Sequence, residues 1–188
     1  MGAGRKRQRG DGDRCHDGNR GDFIIRAADD RDAVSLVHAW KEFGRFYAEI
    51  DATEFRVPDD EGLPEWFESR LRTDEGEDAS WLVADHDGEV TGFLQAEIWR
   101  PSEDADRQLM QEIAEPILNV NSLMVLEDER GAGVGTALMK AAEAWGKERG
   151  ATRAIVIASL SSPAVVGFYE NRMKYDRKTV GFSKELRS

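Results

Sequence analysis

The sequence predicts an α/β (α+β) fold, with a mixed, mostly antiparallel central sheet and helices on both faces. Three observations carry that reading. The apolar pattern alternates between strand and helix periods in the order β-α-α-β-β-β-α-β-α-β. His86-Asp87-Gly88 sits between two apolar runs, a hairpin signal that makes the front half antiparallel. The back half runs strand, glycine-rich turn, amphipathic helix and then the continuous apolar run AIVIA, an order that implies a parallel β-α-β unit.

Each element follows from its residues. Residues 1–21 hold six glycines and six basic residues but no aliphatic side chain to bury, which predicts a disordered basic, Gly-rich tail without a secretory h-region. Residues 22–188 are read as one domain. Phe23-Ile24-Ile25 opens it as a short strand. Asp29 or Asp30 can cap a first helix whose apolar stripe is Ala33, Val34, Val37, Trp40, Gly44 and Tyr47/Ala48. Pro58 and an acidic run end it, and a second helix fits Pro64 to Arg72, with proline in its first turn. Trp81 to Ala84 and Val90 to Trp99 are the hairpin strands, with Phe93, Gln95, Glu97 and Trp99 on one face and Leu94, Ala96 and Ile98 on the other. Residues 100–116 are a long polar loop between prolines, and such loops are usually functional or mobile. Ile117 to Leu126 is a strand. Gly133 to Arg149 is a helix striped by Val134, Leu138, Ala141/Ala142 and Trp145 and ended by Gly150. Ala154 to Ala158 reads as a strand covered on both faces, Pro163 to Arg172 as a helix, and Thr179 to Leu186 as a closing strand.

Composition excludes several function classes. The 188 residues carry 26 basic and 37 acidic side chains, a net of −11. The tail takes six of the basic and three of the acidic ones, which leaves 20 and 34, a net of −14, on the remainder. Nucleic-acid binding usually needs a basic face, so a nucleic-acid partner is not expected. Cys15 is the single cysteine and the three histidines are scattered, so neither an intramolecular disulfide nor a structural metal site is expected. No apolar run approaches the roughly 20 residues of a membrane span. A soluble, cytoplasmic protein without a membrane partner is the expectation, and monomer and homodimer are both left open.

The chemistry lies in Leu123 to Lys140, LMVLEDERGAGVGTALMK. Gly131, Gly133 and Gly135 let successive backbone N–H groups converge between a strand and a helix N-terminus, which is an anion site suited to phosphate or pyrophosphate. Arg130 adds a guanidinium at the lip. A P-loop would need Lys-Ser/Thr after the glycines, and none follows. A dinucleotide site would need G-x-G-x-x-G beside the first strand and an acid ending the next one; these glycines come late, Thr136 breaks the pattern, and AIVIAS ends without an acid. That leaves R-x-x-G-x-G, spelled Arg130, Gly133, Gly135, or a purely structural turn that lets strand abut helix.

With these residues and their flanks the chain resembles the GNAT superfamily, the acetyl-CoA-dependent N-acetyltransferases. The likeness runs from about Phe23 to Leu186 and is strongest over Asn121 to Tyr175. The family signature R/Q-x-x-G-x-G/A follows an L-x-V strand, supplied here by Leu123-Met124-Val125. The resemblance implies a GNAT-like sheet with a splayed strand pair and acetyl-CoA as cosubstrate, without a metal. It implies that backbone groups of Leu123 and Val125 pair with the pantetheine arm like an added strand, with Met124 between them in the cofactor site, and that Arg130, Gly131, Ala132, Gly133, Val134, Gly135 and Thr136 cradle the pyrophosphate. Downstream, SSPAVVGFYENRMKY resembles the family's N-x-x-A-x-x-x-Y block. There Ser162 takes the cofactor-contacting position often held by Asn, Phe168-Tyr169 matches the aromatic-Tyr pair, and Lys174 stands where Gly often precedes the aromatic, here Tyr175. The resemblance makes Tyr169 the acid that protonates the leaving thiolate; a phenol, with a pKa of about 10, suits that task. The alternative is a core aromatic on a helix stripe.

Transfer to an amine also needs a base, because an alkylammonium is mostly protonated at neutral pH. Some family members have a Glu six residues before the strand's valine. Asn119 stands there, with Asn121 on the same face, and an amide is no base; both are candidates for holding the acceptor. Glu97, beside Trp99 on the preceding strand, is the leading candidate base, with a plain solvent-facing carboxylate as the alternative. Asp51, Glu54 and Trp99 are further acceptor-binding candidates. Acids concentrate in Glu49 to Glu68 and Asp74 to Asp78, which suits a small cationic amine such as an aminoglycoside or polyamine and equally suits simple solubility. A protein N-terminal or lysine acetyltransferase and a non-catalytic acyl-CoA-binding module are the other readings.

Overall fold

The computed structural model describes residues 23–73, 78–182, 184 and 186. The expected tail at residues 1–21 and most of the acidic loop 74–78 lie outside the described residues. Five strands form one sheet: β1 (Ile24–Ala27), β2 (Ala79–His86), β3 (Glu89–Trp99), β4 (Ile117–Val125) and β5 (Arg153–Val156). They lie in chain order, antiparallel up to β4, with β4 and β5 parallel. Helices α1 (Ala33–Ile50) and α2 (Leu63–Thr73) cover one face, and α3 (Val134–Glu148) covers the other. The mixed, mostly antiparallel architecture expected from the sequence is present.

Local chemistry sets most boundaries. Asp29 and Asp32 form a reciprocal capping box on a 3₁₀ turn that runs into α1. Asp32 is buried and pairs with Arg26 of β1, which also reaches Asp85 of β2 at 2.9 Å. The hairpin turns through Asp87 at φ 54° and Gly88 at φ 90°, the two positive values of a turn matched to strand twist. Gly150 at φ 82° ends α3. Leu138 and Met139 of α3 are fully buried against Leu94, Ala96, Leu118 and Val120, worth roughly 1.5–3 kcal/mol each. Across the sheet, Phe67 of α2, Phe93 and Trp81 pack edge-on or tilted about Trp40 of α1, with neighbouring centroids 5.6–6.0 Å apart.

Several expectations are corrected. The buried stripe of α1 is Ala33, Leu36 and Ala39, with Val37, Trp40 and Phe43 beside it, whereas Val34 is 74% exposed. Docking on Phe67 and Phe93 has rotated the helix relative to the stripe read from spacing. The AIVIA run is a strand only over Arg153–Val156, and Ile157 is 90% exposed because the chain leaves the sheet there. The last helix is α4 (Pro163–Gly167) followed by one π turn (Phe168–Arg172). No closing strand forms among the described part of residues 179–186; Val180, Phe182 and Leu186 are exposed and have no strand to pair with. The long loop contains two 3₁₀ turns, Ala105–Arg107 and Gln111–Ala114.

Candidate active site

The site forms where β4 and β5 part. They pair only over Ile117–Val120 and Arg153–Val156, whereas β4 stays paired with β3 as far as Val125 opposite Gly92. Beyond Val120 the β5-facing edge of β4 therefore has no strand against it, which is the splayed pair expected from the resemblance. A bulge marks the same place: Ala96 lies opposite Val120 and Gln95 opposite Ser122, so Asn121 has no partner on β3. The extra residue exchanges the faces of the strand. Leu118 and Val120 lie on the α3 side before it, and Leu123 and Val125 do after it, while Met124 joins the opposite core.

A cavity of about 530 Å³ fills this wedge. One wall is Val120 to Val125 of β4; another is Val156 and Ile157 at the end of β5, with Phe168 and Tyr169 below. Its anion end is the turn from Glu129 into α3. Gly131 at φ 87° and Gly133 at φ 94° hold a left-handed backbone that other residues rarely adopt. Gly133 caps α3 with no side-chain hydrogen bond, so the N–H groups of Val134, Gly135 and Thr136 lie in the first helical turn, where no intrahelical carbonyl can reach them. All three residues line the cavity, as do Arg130 and Arg172, and Arg172 Nε donates to Thr136 Oγ1 at 3.3 Å. Unsatisfied N–H groups, a helix N-terminus and two guanidinium groups suit a pyrophosphate, and a free strand edge beside them suits an amide-bearing arm.

Tyr169 sits on the π turn, almost fully buried, with Phe168 at 5.2 Å and Tyr175 at 6.0 Å between centroids. Burial, with the Tyr47 phenol adding to it, raises its pKa well above the ordinary phenol value. Single π turns of this kind often accompany functional sites. Tyr175 is likewise raised, first by burial and then by Glu143, to which its hydroxyl donates at 3.0 Å. The left-handed conformation that favours glycine is adopted by Lys174 itself, at φ 63°.

The remaining wall comes from α1: Phe43, Phe46 and Tyr47. Phe43 and Tyr47 meet edge-on at 4.8 Å, and burial raises the Tyr47 pKa. The stripe expected from the spacing of α1 includes Tyr47 but neither Phe43 nor Phe46; three aromatics at i, i+3 and i+4 near the end of a long helix are the sequence signal for this wall.

The predicted residues divide into three groups. Asn121, Leu123, Met124, Val125, Arg130, Gly131, Gly133, Val134, Gly135, Thr136 and Tyr169 line the cavity. Glu97, Trp99, Asn119 and Asn121 form a polar cluster across β3 and β4, next to the cavity only through Asn121. Glu97 Oε1 accepts from Trp99 Nε1 at 2.7 Å and from Asn119 Nδ2 at 3.3 Å, and Asn119 also donates to Asn121. Burial pushes the Glu97 pKa up, but hydrogen bonds from Trp99, Asn121 and Asn119 and the nearby Arg70 charge outweigh it and hold the carboxyl below its usual range. Asn121 is the member of this cluster that reaches the cavity. The others lie apart from the cavity lining. Ala132 packs on the α3-side core, and buried Ser162 starts α4, its carbonyl accepting from Val165 and Val166. Asp51 caps its own turn through Thr53 and Glu54, which lowers its pKa, and Glu54 is exposed. Among the described residues no group of three or more His, Cys, Asp or Glu side chains could hold a metal, and no helix is long and apolar enough to cross a membrane.

Comparison with known proteins adds to this geometry. The family model described as acetyltransferase (GNAT) family matches residues 40–175. No curated protein matches the sequence. Among solved structures, a transcriptional regulator from Bacillus halodurans C-125 superposes with a TM-score of 0.67 at 20% identity, covering 88% of this chain and 100% of that one. An aminoglycoside acetyltransferase from an uncultured soil metagenomic sample, in complex with sisomicin, superposes at 0.62 and 17% identity, covering 88% and 97%. A Trypanosoma brucei acetyltransferase superposes at 0.61 and 18% identity, covering 88% and 100%. At these identities the likeness is one of fold.

Proposed function

The chain belongs to the acetyltransferase (GNAT) family, whose members use acetyl-CoA as cosubstrate, and on that premise we propose that it transfers the acetyl group of acetyl-CoA to a primary amine of a small cationic acceptor. The observation that carries this reading is the pair of left-handed glycines at the α3 N-terminus, opening into the wedge between β4 and β5 that Tyr169 faces. The residues fit the cosubstrate. The N–H groups of Val134, Gly135 and Thr136, with Arg130 and Arg172, would take the pyrophosphate. The free edge of Asn121 to Val125 would pair with the pantetheine amides, and Tyr169 stands at the thioester end.

In the reaction the neutral amine nitrogen bonds to the thioester carbonyl carbon, the carbon–sulfur bond breaks, the thiolate leaves, and the nitrogen gives up one further proton as the amide forms, which balances the proton that Tyr169 passes to sulfur and restores its phenol. The chain supplies what that exchange needs in protons and charge. Tyr169 donates its phenolic proton to the thiolate; its raised pKa keeps that proton in place at neutral and mildly alkaline pH. Glu97, ionised throughout the neutral range, draws the ammonium group and takes up its proton along the Asn119–Asn121 side of the site. Trp99 and the aromatic wall of α1 supply faces for the acceptor. Residues 22–188 act as a single domain in this reading. The cationic class of acceptor rests on the net charge of −11 and on the acidic stretches around α1 and α2. The fold shared with an aminoglycoside acetyltransferase makes aminoglycosides a natural part of the test.

That test is thiol release from acetyl-CoA by the purified chain with aminoglycosides, polyamines, amino acids and basic peptides as acceptors. Turnover is expected with the polycationic small amines. Turnover confined to basic peptides would replace the acceptor class with a protein amine. Acetyl-CoA binding without any thiol release would leave only a binding module. A further expectation concerns Glu97→Gln: kcat/KM for the amine falls roughly 10- to 100-fold while acetyl-CoA affinity is unchanged. Because the Glu97 pKa is depressed, the wild-type dependence on this carboxylate should be constant through neutral pH and be lost only as pH falls below the ordinary carboxylate range. An unchanged kcat/KM in Glu97→Gln would remove Glu97 from the mechanism.

A further inference from the structure

We infer that Glu42 and Phe46 of α1 are positioning residues for the phosphate-binding turn, holding Arg130 and the 127–133 backbone in the shape that takes pyrophosphate. The inference rests on the acetyl-CoA reading of that turn. It adds a role for α1, the helix on the acceptor side of the cavity.

The contacts converge on two side chains one helical turn apart. Glu42 Oε1 accepts from the backbone N–H of Glu127 at 2.9 Å, where the 3₁₀ turn Glu127–Glu129 leaves β4. The same carboxylate oxygen lies 4.0 Å from Arg130 Nη2. The Arg130 guanidinium carbon sits 4.9 Å from the centroid of the Phe46 ring, and Arg130 Nε donates to the Val125 carbonyl at 3.1 Å. Arg130 is thus tied on one edge to the strand and on its face to α1, with Nη2 near the Glu42 carboxylate, and from there it lines the cavity where an anion would sit.

Glu42 is not part of the cavity wall, and Phe46, which does line the cavity, belongs to neither hydrophobic core cluster. What each meets in common is Arg130 or the turn that leads to it. Glycine has more backbone conformations open to it than other residues, so an external clamp beside Gly131 and Gly133 would reduce the conformations lost on binding a phosphate.

Glu42→Ala carries the test, because Glu42 touches the turn without lining the site. Acetyl-CoA affinity, measured by calorimetry, should fall about tenfold, the size expected for losing a hydrogen bond to a charged group. With kcat at saturating acetyl-CoA held within about twofold, the effect would appear in KM alone. Glu42→Gln keeps an oxygen for the Glu127 N–H and loses only a long, half-exposed ion pair, so it should restore most of the affinity. Phe46→Ala should weaken binding in the same direction. Wild-type affinity in Glu42→Ala, with or without a lower Tm, would overturn the positioning role while leaving the acetyl-CoA site intact. A wild-type chain that binds no acetyl-CoA would overturn both.

Discussion

Glu in place of Gly133 weakens acetyl-CoA binding by at least about a hundredfold, from strain and charge together. Gly133 is at φ 94°, and an added Cβ there meets nothing within 4 Å, so steric clash is not the reason. A non-glycine residue in left-handed backbone costs about 1–2 kcal/mol, which the turn can shed by relaxing away from the shape that presents its N–H groups. The charge acts on the same groups. A carboxylate at the α3 N-terminus competes for the N–H groups of Val134, Gly135 and Thr136 and repels the pyrophosphate it displaces. That carboxylate favours the helix, so the variant should still fold, and its Tm checks this. Gly133→Ala separates the two causes: it introduces strain without charge and should lose roughly tenfold. Calorimetric titration with acetyl-CoA reads both variants, and wild-type affinity in Gly133→Glu would dismiss this turn as the phosphate site.

Tyr169→Phe should lower kcat about a hundredfold and leave acetyl-CoA affinity within about twofold. The hydroxyl is the only atom removed, and the ring keeps its place between Phe168 and Tyr175. The pH profile makes the case specific. Burial raises the Tyr169 pKa, so the acid form persists as pH rises, and wild-type kcat should show no alkaline fall near the ordinary phenol pKa. Single-turnover thiol release reads the chemical step apart from product release. Equal turnover by the two proteins would make Tyr169 a core aromatic and pass the proton to solvent.

What could be read from the sequence was what local backbone chemistry dictates. The Asp87-Gly88 turn, the Gly150 stop and the Gly131/Gly133 cradle all need conformations that few residues adopt, so residue identity announces them. The face alternation of β3 was legible for the same reason, since it is a property of the strand alone. The aromatic wall of α1 was not, because which side of that helix meets the cavity is decided by its docking on Phe67 and Phe93. The π turn that carries Tyr169, and the lack of a strand among the described residues of 179–186, depend on neighbours far away in sequence. Lys174 shows the converse: the expected glycine is absent, yet the left-handed backbone it would favour remains.

The bulge at Asn121 gives β4 two reading frames. Ahead of it even-numbered residues face α3, and behind it odd-numbered ones do. Deleting one residue here would restore strict alternation and send Met124 toward α3, with Leu123 and Val125 moved into the opposite core. The strand could then satisfy one half of the sheet or the other but not both. A sequence comparison that slides β4 by one residue would still look plausible by hydrophobicity while exchanging which of the two cores each residue beyond the bulge enters.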